Sequence, residues 1–463
     1  MRYHTVIIGA GMAGLAAGIR LAYYEKPVCI VERHTTIGGL NSFYRLRGRN
    51  YDVGLHAVTN YAVPGSKSGP LAKLLKQLRL RWDDFDLSPQ LGSSIKFPGR
   101  TLRFTNDFSY LVDQVRTVFP DQADRFGKLV ETINAFDELN LDQEPVSARK
   151  VLGEHLSDAV LIDMLFCPLM FYGSAIPRDM DFSQFVIMFK SIFQQGFARP
   201  YDGVRRILKT LVRQYKELGG ELKLRHGVSA IHKSNGRAAG VVLDDGTVIE
   251  AENVLSSAGV AETLALSQQE PEATEAIAKA GELSFNETIY VLDRQPKELG
   301  HDDTIIFYND AERFEYASPA EPCDTRSGII CSPNNFQYPN GEQLDEGIVR
   351  ITALANPGYW FSAPQPDYEA AKAEWANRVA DVAVKYMPEF RPHVVETDAF
   401  TPRTVKKYTG HLNGAVYGAP GKVLTGRTET PNLYLCGTDQ GFLGIIGSML
   451  SGITMANNHL LRE

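Results

Sequence analysis

Three glycines, Gly9, Gly11 and Gly14, stand in the spacing G-x-G-x-x-G, and an acid, Glu32, follows 18 positions after the last of them. That combination suits the binding of a dinucleotide. The first glycine permits a tight turn, the second lets backbone N–H groups approach a pyrophosphate, and the third lets a helix pack closely on a strand. The helix that follows turns its positive end toward the phosphates. Glu32 can accept hydrogen bonds from a ribose and would repel a 2′-phosphate. A doublet, Gly38-Gly39, can bring another loop against the same pyrophosphate, and no second G-x-G-x-x-G occurs, so one such site is expected. Near the other end, Gly441, Gly444 and Gly447 recur every third residue, a spacing that clears one side of a loop and helix start for a flat ring.

The elements that must hold these residues are legible around them. Thr5 to Ile8 is a continuous apolar run, as expected for a strand covered on both faces of a parallel sheet. A helical pattern follows through Leu15, Ile19 and Leu21, then a strand from Pro27 to Val31 that ends at Glu32. From Gly65 to about Lys150 the pattern is mainly helical, with a hairpin over Gly92–Phe104 turning at Pro98-Gly99-Arg100. Residues 150–196 hold the most apolar helices. After Gly219-Gly220 the period switches to two, giving strands and a hairpin up to Ala258-Gly259. Asn432 to Cys436 reads as a buried strand leading into Gly437-Thr438-Asp439-Gln440.

G-x-G-x-x-G, Glu and Gly-Gly within forty residues, together with the glycine-rich carboxyl-terminal motif, resemble the signature of the amine-oxidase-type flavoproteins, phytoene desaturases and their relatives. The resemblance spans nearly the whole chain and implies FAD as a tightly held prosthetic group. It implies an α/β fold: a Rossmann-type FAD-binding domain with a discontinuous α+β substrate domain and a helical insertion. The FAD domain would comprise residues 1–65, 197–260 and 420–463, the insertion 66–196, and the β-sheet substrate domain 261–419. Cofactor contacts are expected at Gly9, Gly11, Ala13, Gly14, Glu32, Arg33, Gly38, Gly39, Leu40, Val228 (backbone to adenine) and Ala258. At the far end they are expected at Gly437, Asp439 (ribityl hydroxyls), Gly444, Ile445, Ile446 and Gly447, whose helix N-terminus would face the flavin where negative charge develops.

Three local features narrow the branch. Leu40 follows the glycine doublet where many amine oxidases and desaturases have Arg. Tyr51-Asp52-Val53-Gly54-Leu55-His56 is similar to a segment of retinol saturases and, without the histidine, of carotenoid isomerases. Thr401-Pro402 through Tyr417-Gly418 looks like the same branch. The chain therefore resembles the carotenoid isomerase and retinol saturase branch of phytoene desaturase-like proteins. This implies an FAD oxidoreductase acting on C–C double bonds of an apolar isoprenoid, a carotenoid or retinoid-like polyene, by desaturation, saturation or flavin-assisted cis–trans isomerisation. Such a substrate has no ionisable group, so apolar area must bind it, at ~25 cal/mol per Å² buried. His56, Tyr408, His411 and Tyr417 are candidates for catalytic work, because their segments resemble ring-facing loops; each could instead be a packed or hydrogen-bonded structural residue. The electron partner stays open between oxygen, a quinone and a reduced flavin or NAD(P)H system. An amine or porphyrinogen oxidase and a non-catalytic prenyl-binding escort remain as alternatives, with intact Gly9, Gly11, Gly14 and Glu32 against the escort.

Composition bounds these readings. The 463 residues carry 48 Lys and Arg against 55 Asp and Glu, net −7, which argues against nucleic acid as a partner. Residues 261–350 hold 18 acidic and 6 basic residues, a local −12. Five scattered cysteines, odd in number and without C-x-x-C spacing, fit a reduced cytoplasmic setting, and no metal-ligand cluster, catalytic triad or P-loop is evident. The strand-like run from Thr5 leaves no room for a signal peptide. The longest apolar stretch, Val160 to Gly173, is interrupted by Asp163 and Pro168, so no membrane span is expected. Val204, Ile207, Leu208, Leu211, Val212 and Tyr215 form one face of a basic helix. Such a helix could rest on the cytoplasmic face of an anionic membrane or simply belong to the core.

Overall fold

The computed structural model describes residues 2–138, 140, 144–268 and 278–462. The first sheet grows from the two apolar runs at the amino end. Tyr3–Ile8 and Val28–Glu32 pair in parallel, Thr5 opposite Val28, and Glu221–Leu224 extends the sheet beyond them. On the other side lies the long strand Val248–Ser256, with Leu433–Leu435 paired to its far half. The near half of that strand leaves the parallel layer and pairs antiparallel with Arg237–Leu243, which pairs in turn with Val228–Ser234. Val28–Glu32 is buried at every position, as a strand covered on both faces must be.

Helices Met12–Tyr23, Val204–Glu217 and Gly444–Met455 cover one face of this sheet. Glycine permits two close approaches here, the seating of the first helix on the turn after its strand and the packing of the carboxyl-terminal helix on the first. A Cβ on Gly14 would fall 2.1 Å from the Gly9 carbonyl oxygen, and one on Gly452 would fall 2.1 Å from that of Ala13. Helix Val204–Glu217 belongs to the core: Val204, Ile207, Leu208, Leu211 and Tyr215 are fully buried. The Tyr215 hydroxyl donates to the carbonyls of Val28 and Glu221, two strands of the sheet. Its apolar face is therefore not available to a membrane.

The second sheet runs in the order Val394–Phe400, Ser284–Leu292, Gly347–Ala355, Ser327–Cys331, Ile305–Asn309, Ser93–Phe97, Arg100–Phe104. Its pairs are antiparallel except that of Ile305–Asn309 with Ser93–Phe97. The hairpin Ser93–Phe104 thus inserts two strands of the mainly helical 66–196 segment into this sheet, while a third short strand of that segment, Leu87–Pro89, pairs with Ala198–Pro200. Side chains alternate along Ser284–Leu292 with a period of two. Tyr290 and Leu292 pack under helix Gln365–Ala383, whereas Phe285 faces the helical segment. Helix Ala159–Gly173 is apolar on nearly every side, and its single acid, Asp163, is buried between Arg149 and Arg313. No described helix is long and apolar enough to cross a membrane. All five cysteines are free and buried, and burial pushes the thiols of Cys29, Cys331 and Cys436 up to about 12.

The helix contact at Gly452 sets a test. Gly452→Ala forces a methyl group into the Ala13 backbone and should destabilise the chain by roughly 1–3 kcal/mol, read as a lower urea midpoint at unchanged slope.

Candidate active site

A cavity of about 1000 Å³ lies between the two sheets, and its floor is the glycine loop after the first strand. Gly11 caps helix Met12–Tyr23, and a Cβ on it would meet no protein atom within 4 Å, so it would project into the cavity. Gly38 donates its N–H to Ala10 O at 2.9 Å and bridges Gly11, joining the two glycine loops into one cradle. A Cβ on Gly39 would find only Gly11 Cα, 4.0 Å away. Neither packing nor backbone conformation requires glycine at Gly11, which fits a ligand pressed against the backbone there; Gly39, with φ of 57°, is also favoured by its left-handed turn. Helices Met12–Tyr23 and Gly444–Met455 both start at this cavity without a side-chain cap or a first-turn acid, leaving N–H groups for an anion or a polarised ring edge. The carboxylate of Glu32 accepts from Ala10 N at 2.9 Å and His34 N at 3.0 Å, which orients it and leaves lone pairs for a ribose. These features fit FAD.

Thirteen of the cofactor residues expected from sequence line the cavity: Gly9, Gly11, Ala13, Glu32, Arg33, Gly38, Gly39, Leu40, Val228, Ala258, Gly437, Gly444 and Ile445. Four do not. Gly14 faces the Gly9 carbonyl, Ile446 is fully buried among the helices, and Gly447 packs on Phe442. Asp439, expected at ribityl hydroxyls, is not among the cavity-lining residues: its buried carboxylate accepts from Val260 N at 2.7 Å, Ala419 N at 2.8 Å and Lys422 Nζ at 3.2 Å, which ties its loop to the segments around Val260 and Ala419–Lys422. Its neighbour Thr438 lines the cavity in its place.

The four catalytic candidates all line the cavity but stand apart from one another. Tyr408 is half exposed at the rim, its ring 5.5 Å from that of His34. Tyr417 commits its hydroxyl to the Phe171 carbonyl and offers its ring edge-on to Phe285. His411 faces Glu262, with Nδ1 3.5 Å from Oε1. His56 lies deep, its Nε2 3.0 Å from Thr352 Oγ1 and 3.6 Å from Glu287 Oε2.

Around His56 a buried polar network closes. Arg350 pairs with Glu287 and donates to the carbonyls of Leu55 at 2.6 Å and Asp52 at 3.2 Å. Arg199 pairs with the Asp52 carboxylate and donates to Leu55 O at 2.9 Å. Two arginines therefore hold the backbone of the His56 loop. Burial lowers the pKa of His56 below its ordinary 6.5 against the opposing pull of Glu287, which favours the neutral ring. Burial alone would raise that of Glu287, but Arg350 and then His56 outweigh it and hold the carboxyl down at about 2. The anionic Glu287 favours the ring proton on Nε2 and leaves Nδ1 as an acceptor. The surrounding walls are Phe171, Tyr172, Phe285, Ile329, Val416, Tyr417 and Leu443.

Glu287, Arg350 and Thr352 were missed by motif reading. The available signal was the acid Glu287 inside the strand Ser284–Leu292, since a buried charge demands a partner.

Comparison with known proteins gives one consistent picture. Residues 12–459 match the family model described as flavin containing amine oxidoreductase. All-trans-retinol 13,14-reductase of Danio rerio is 23% identical over 532 residues, covering 99% of this chain and 86% of that protein. Phytoene desaturase (lycopene-forming) of Pantoea ananas is 23% identical over 495 residues, covering 96% and 97%. Prolycopene isomerase of Arabidopsis thaliana is 22% identical over 509 residues, covering 98% and 82%. Among solved structures, an oxidoreductase from Methanosarcina mazei superposes with a TM-score of 0.68 at 18% identity over 98% of this chain and 100% of that one. Putrescine oxidase bound to putrescine superposes with 0.65 at 16% identity, over the full length of both.

The buried pair yields a signed prediction. Glu287→Gln strands the Arg350 charge and should cost about 3–5 kcal/mol at neutral pH. The Glu287 contribution is present above its unfolded pKa of about 4.5 and fades as the pH falls toward about 2. The stability gap between wild type and variant should therefore narrow over that acid window in parallel denaturation curves.

Proposed function

The chain belongs to the flavin containing amine oxidoreductase family and is a flavin-dependent oxidoreductase with FAD as its cofactor, and from that premise we propose that it acts on carbon–carbon double bonds of an apolar isoprenoid, a carotenoid or retinoid-like polyene. One observation carries this reading: the inner chamber offers aromatic and aliphatic walls and, among the described residues, no free anion. The carboxylates that line the cavity are Glu32, Glu262 and Glu287. Glu32 is engaged by backbone amides, Glu262 by His411 and Leu412 N, and Glu287 by Arg350. An ammonium substrate would find nothing to neutralise it there, whereas a polyene would bury its length against rings. The curated names of the similar proteins, a retinol reductase, a phytoene desaturase and a prolycopene isomerase, support the same substrate class.

FAD supplies the two-electron redox chemistry when bound. The protein then has to hold a carbon chain, exclude water and handle a proton. Phe171, Tyr172, Phe285 and Tyr417 form the apolar walls that position the chain. Neutral His56 is the proton acceptor: Nδ1 takes a proton from a substrate carbon, and the imidazolium that forms is stabilised by Glu287 behind it. Returned to the carbon it left after the chain has turned about the relaxed bond, that proton permits cis–trans isomerisation at constant mass; in the saturating direction the ring would pass on a proton drawn from solvent, with the hydride equivalent supplied by the reduced cofactor. Thr352 fixes the ring through Nε2.

The test is product analysis of the holoenzyme with a panel of carotenoids and retinoids. Loss or gain of two hydrogens, or altered double-bond geometry at constant mass, is expected. Cofactor bleaching by primary amines with none by polyenes would reverse the assignment. His56→Gln should lower kcat by roughly 10²–10⁴-fold at unchanged FAD content. Because His56 works as the neutral ring and burial lowers its pKa, wild-type activity in the desaturating direction should be level through neutral pH and fall only on the acid side of 6.5.

A further inference from the structure

A turn donated by the second sheet's domain crosses the dinucleotide groove. It follows helix Pro402–Thr409. At its near end the Tyr408 ring stands beside His34, and a Cβ on Gly410 would lie 3.2 Å from Arg33 Nη1. Both contacts lie just past the strand that ends in Glu32. At its far end His411 Nδ1 is 3.5 Å from Glu262 Oε1, and Leu412 donates its N–H to the same oxygen at 2.7 Å. Glu262 sits in the first turn of helix Val260–Gln268, directly after Ala258 and Gly259. The turn thus reaches from one wall of the groove to the other. Gly410, Asn413 and Gly414, with φ of 81°, 57° and 60°, are the positions where its path bends.

We infer that the His411–Glu262 ion pair is a proton-operated latch that holds this turn across the bound FAD and makes retention of the cofactor depend on pH. Both residues line the cavity. Three charged groups act on His411 from neighbouring elements: Glu262 from its helix, Asp439 from the loop after strand Leu433–Leu435 and Lys422 from the segment before that strand. Arg33 stands beside Gly410, and Lys406 and Lys407 lie on the helix that precedes the turn. Lys422 is committed to Asp439 and to the Tyr417 carbonyl at 2.6 Å. Asp439 is further held by two backbone amides. Glu262 has His411 as its one cationic partner among the described residues. Burial alone would lower the His411 pKa, but Glu262, followed by Asp439, outweighs it and raises the value above 6.5.

Deprotonation of His411 has two effects of one sign. The attraction that ties the turn to helix Val260–Gln268 disappears, and the Glu262 carboxylate is left uncompensated beside a groove that holds a diphosphate. Both favour release.

The inference rests on FAD as cofactor and is independent of the polyene reading, since no substrate enters its test. FAD release from the holoenzyme is followed by flavin fluorescence after dilution, from about pH 6 to about pH 10, for wild type, His411→Gln, His411→Lys and Glu262→Gln. The wild-type rate should rise about ten-fold or more as the pH passes through the His411 pKa, the factor that one pKa unit represents. His411→Gln and Glu262→Gln should release FAD fast at every pH. His411→Lys, whose cation titrates higher, should retain slow release further into the alkaline range, a rescue that a purely structural histidine would not show. A flat wild-type profile, or a His411→Gln protein that keeps the wild-type rise, overturns the latch. Should His411→Gln fail to fold, the wild-type profile and His411→Lys decide.

Discussion

A guanidinium buried to 2% exposure must be satisfied from every side, and Arg350 is satisfied only by the fold that makes the active site. It sits on one strand of the second sheet, takes its counter-charge from Glu287 on the adjacent strand, and spends its remaining donors on the Asp52 and Leu55 carbonyls of the first domain. Removing a charge pair of this kind whole can be neutral for stability, whereas removing half is costly. Here the pair does something hydrophobic side chains could not. It fixes the position of the His56 backbone and gives the imidazole an anionic neighbour inside an apolar chamber. Arg199 and Asp52 repeat the device one step away.

The two domains are therefore not a cofactor module with a separate substrate module attached. The cradle of Gly11 and Gly38 belongs to the first sheet, the chamber walls Phe285 and Ile329 to the second, and Phe171 and Tyr172 to the end of an inserted helix. The chain crosses between these layers several times, so each half of the cavity is completed by residues distant in sequence. On a fold shared with putrescine oxidase at 16% identity, the cradle is local in sequence and the chamber is assembled from remote segments, so the two can vary independently.

The same distinction governs what sequence made legible. Gly9 to Gly14, Glu32 and Gly38-Gly39 work within forty residues of chain, through turn geometry and backbone approach, so their pattern was readable without any tertiary knowledge. The hairpin at Ser93–Phe104 followed from period and punctuation in the same way, and the α/β class from the family resemblance that those local motifs carry. Thr438 and Asp439 show the limit. Both sit in one short loop after a buried strand, and which of them meets the cavity depends on Val260, Ala419 and Lys422, all remote. Helix Val204–Glu217 shows another: its amphipathic face is the same whether it meets lipid or protein, and only the neighbouring helices decide. Glu287 was invisible to motif reading because its meaning lies in Arg350 and His56, 63 residues later and on another layer respectively.

The five buried thiols have a bearing on handling as well as on architecture. The thiolate is the species that reacts with alkylating and oxidising agents, and burial suppresses it at Cys29, Cys331 and Cys436 while also denying reagents access. Cys29 lies in the first parallel strand pair, Cys331 beside the second sheet's chamber, and Cys436 at the loop under the carboxyl-terminal helix. Modification of each sulfur is therefore gated by the opening of a different layer, which gives this polypeptide an internal set of chemical clocks for the order in which its parts come undone.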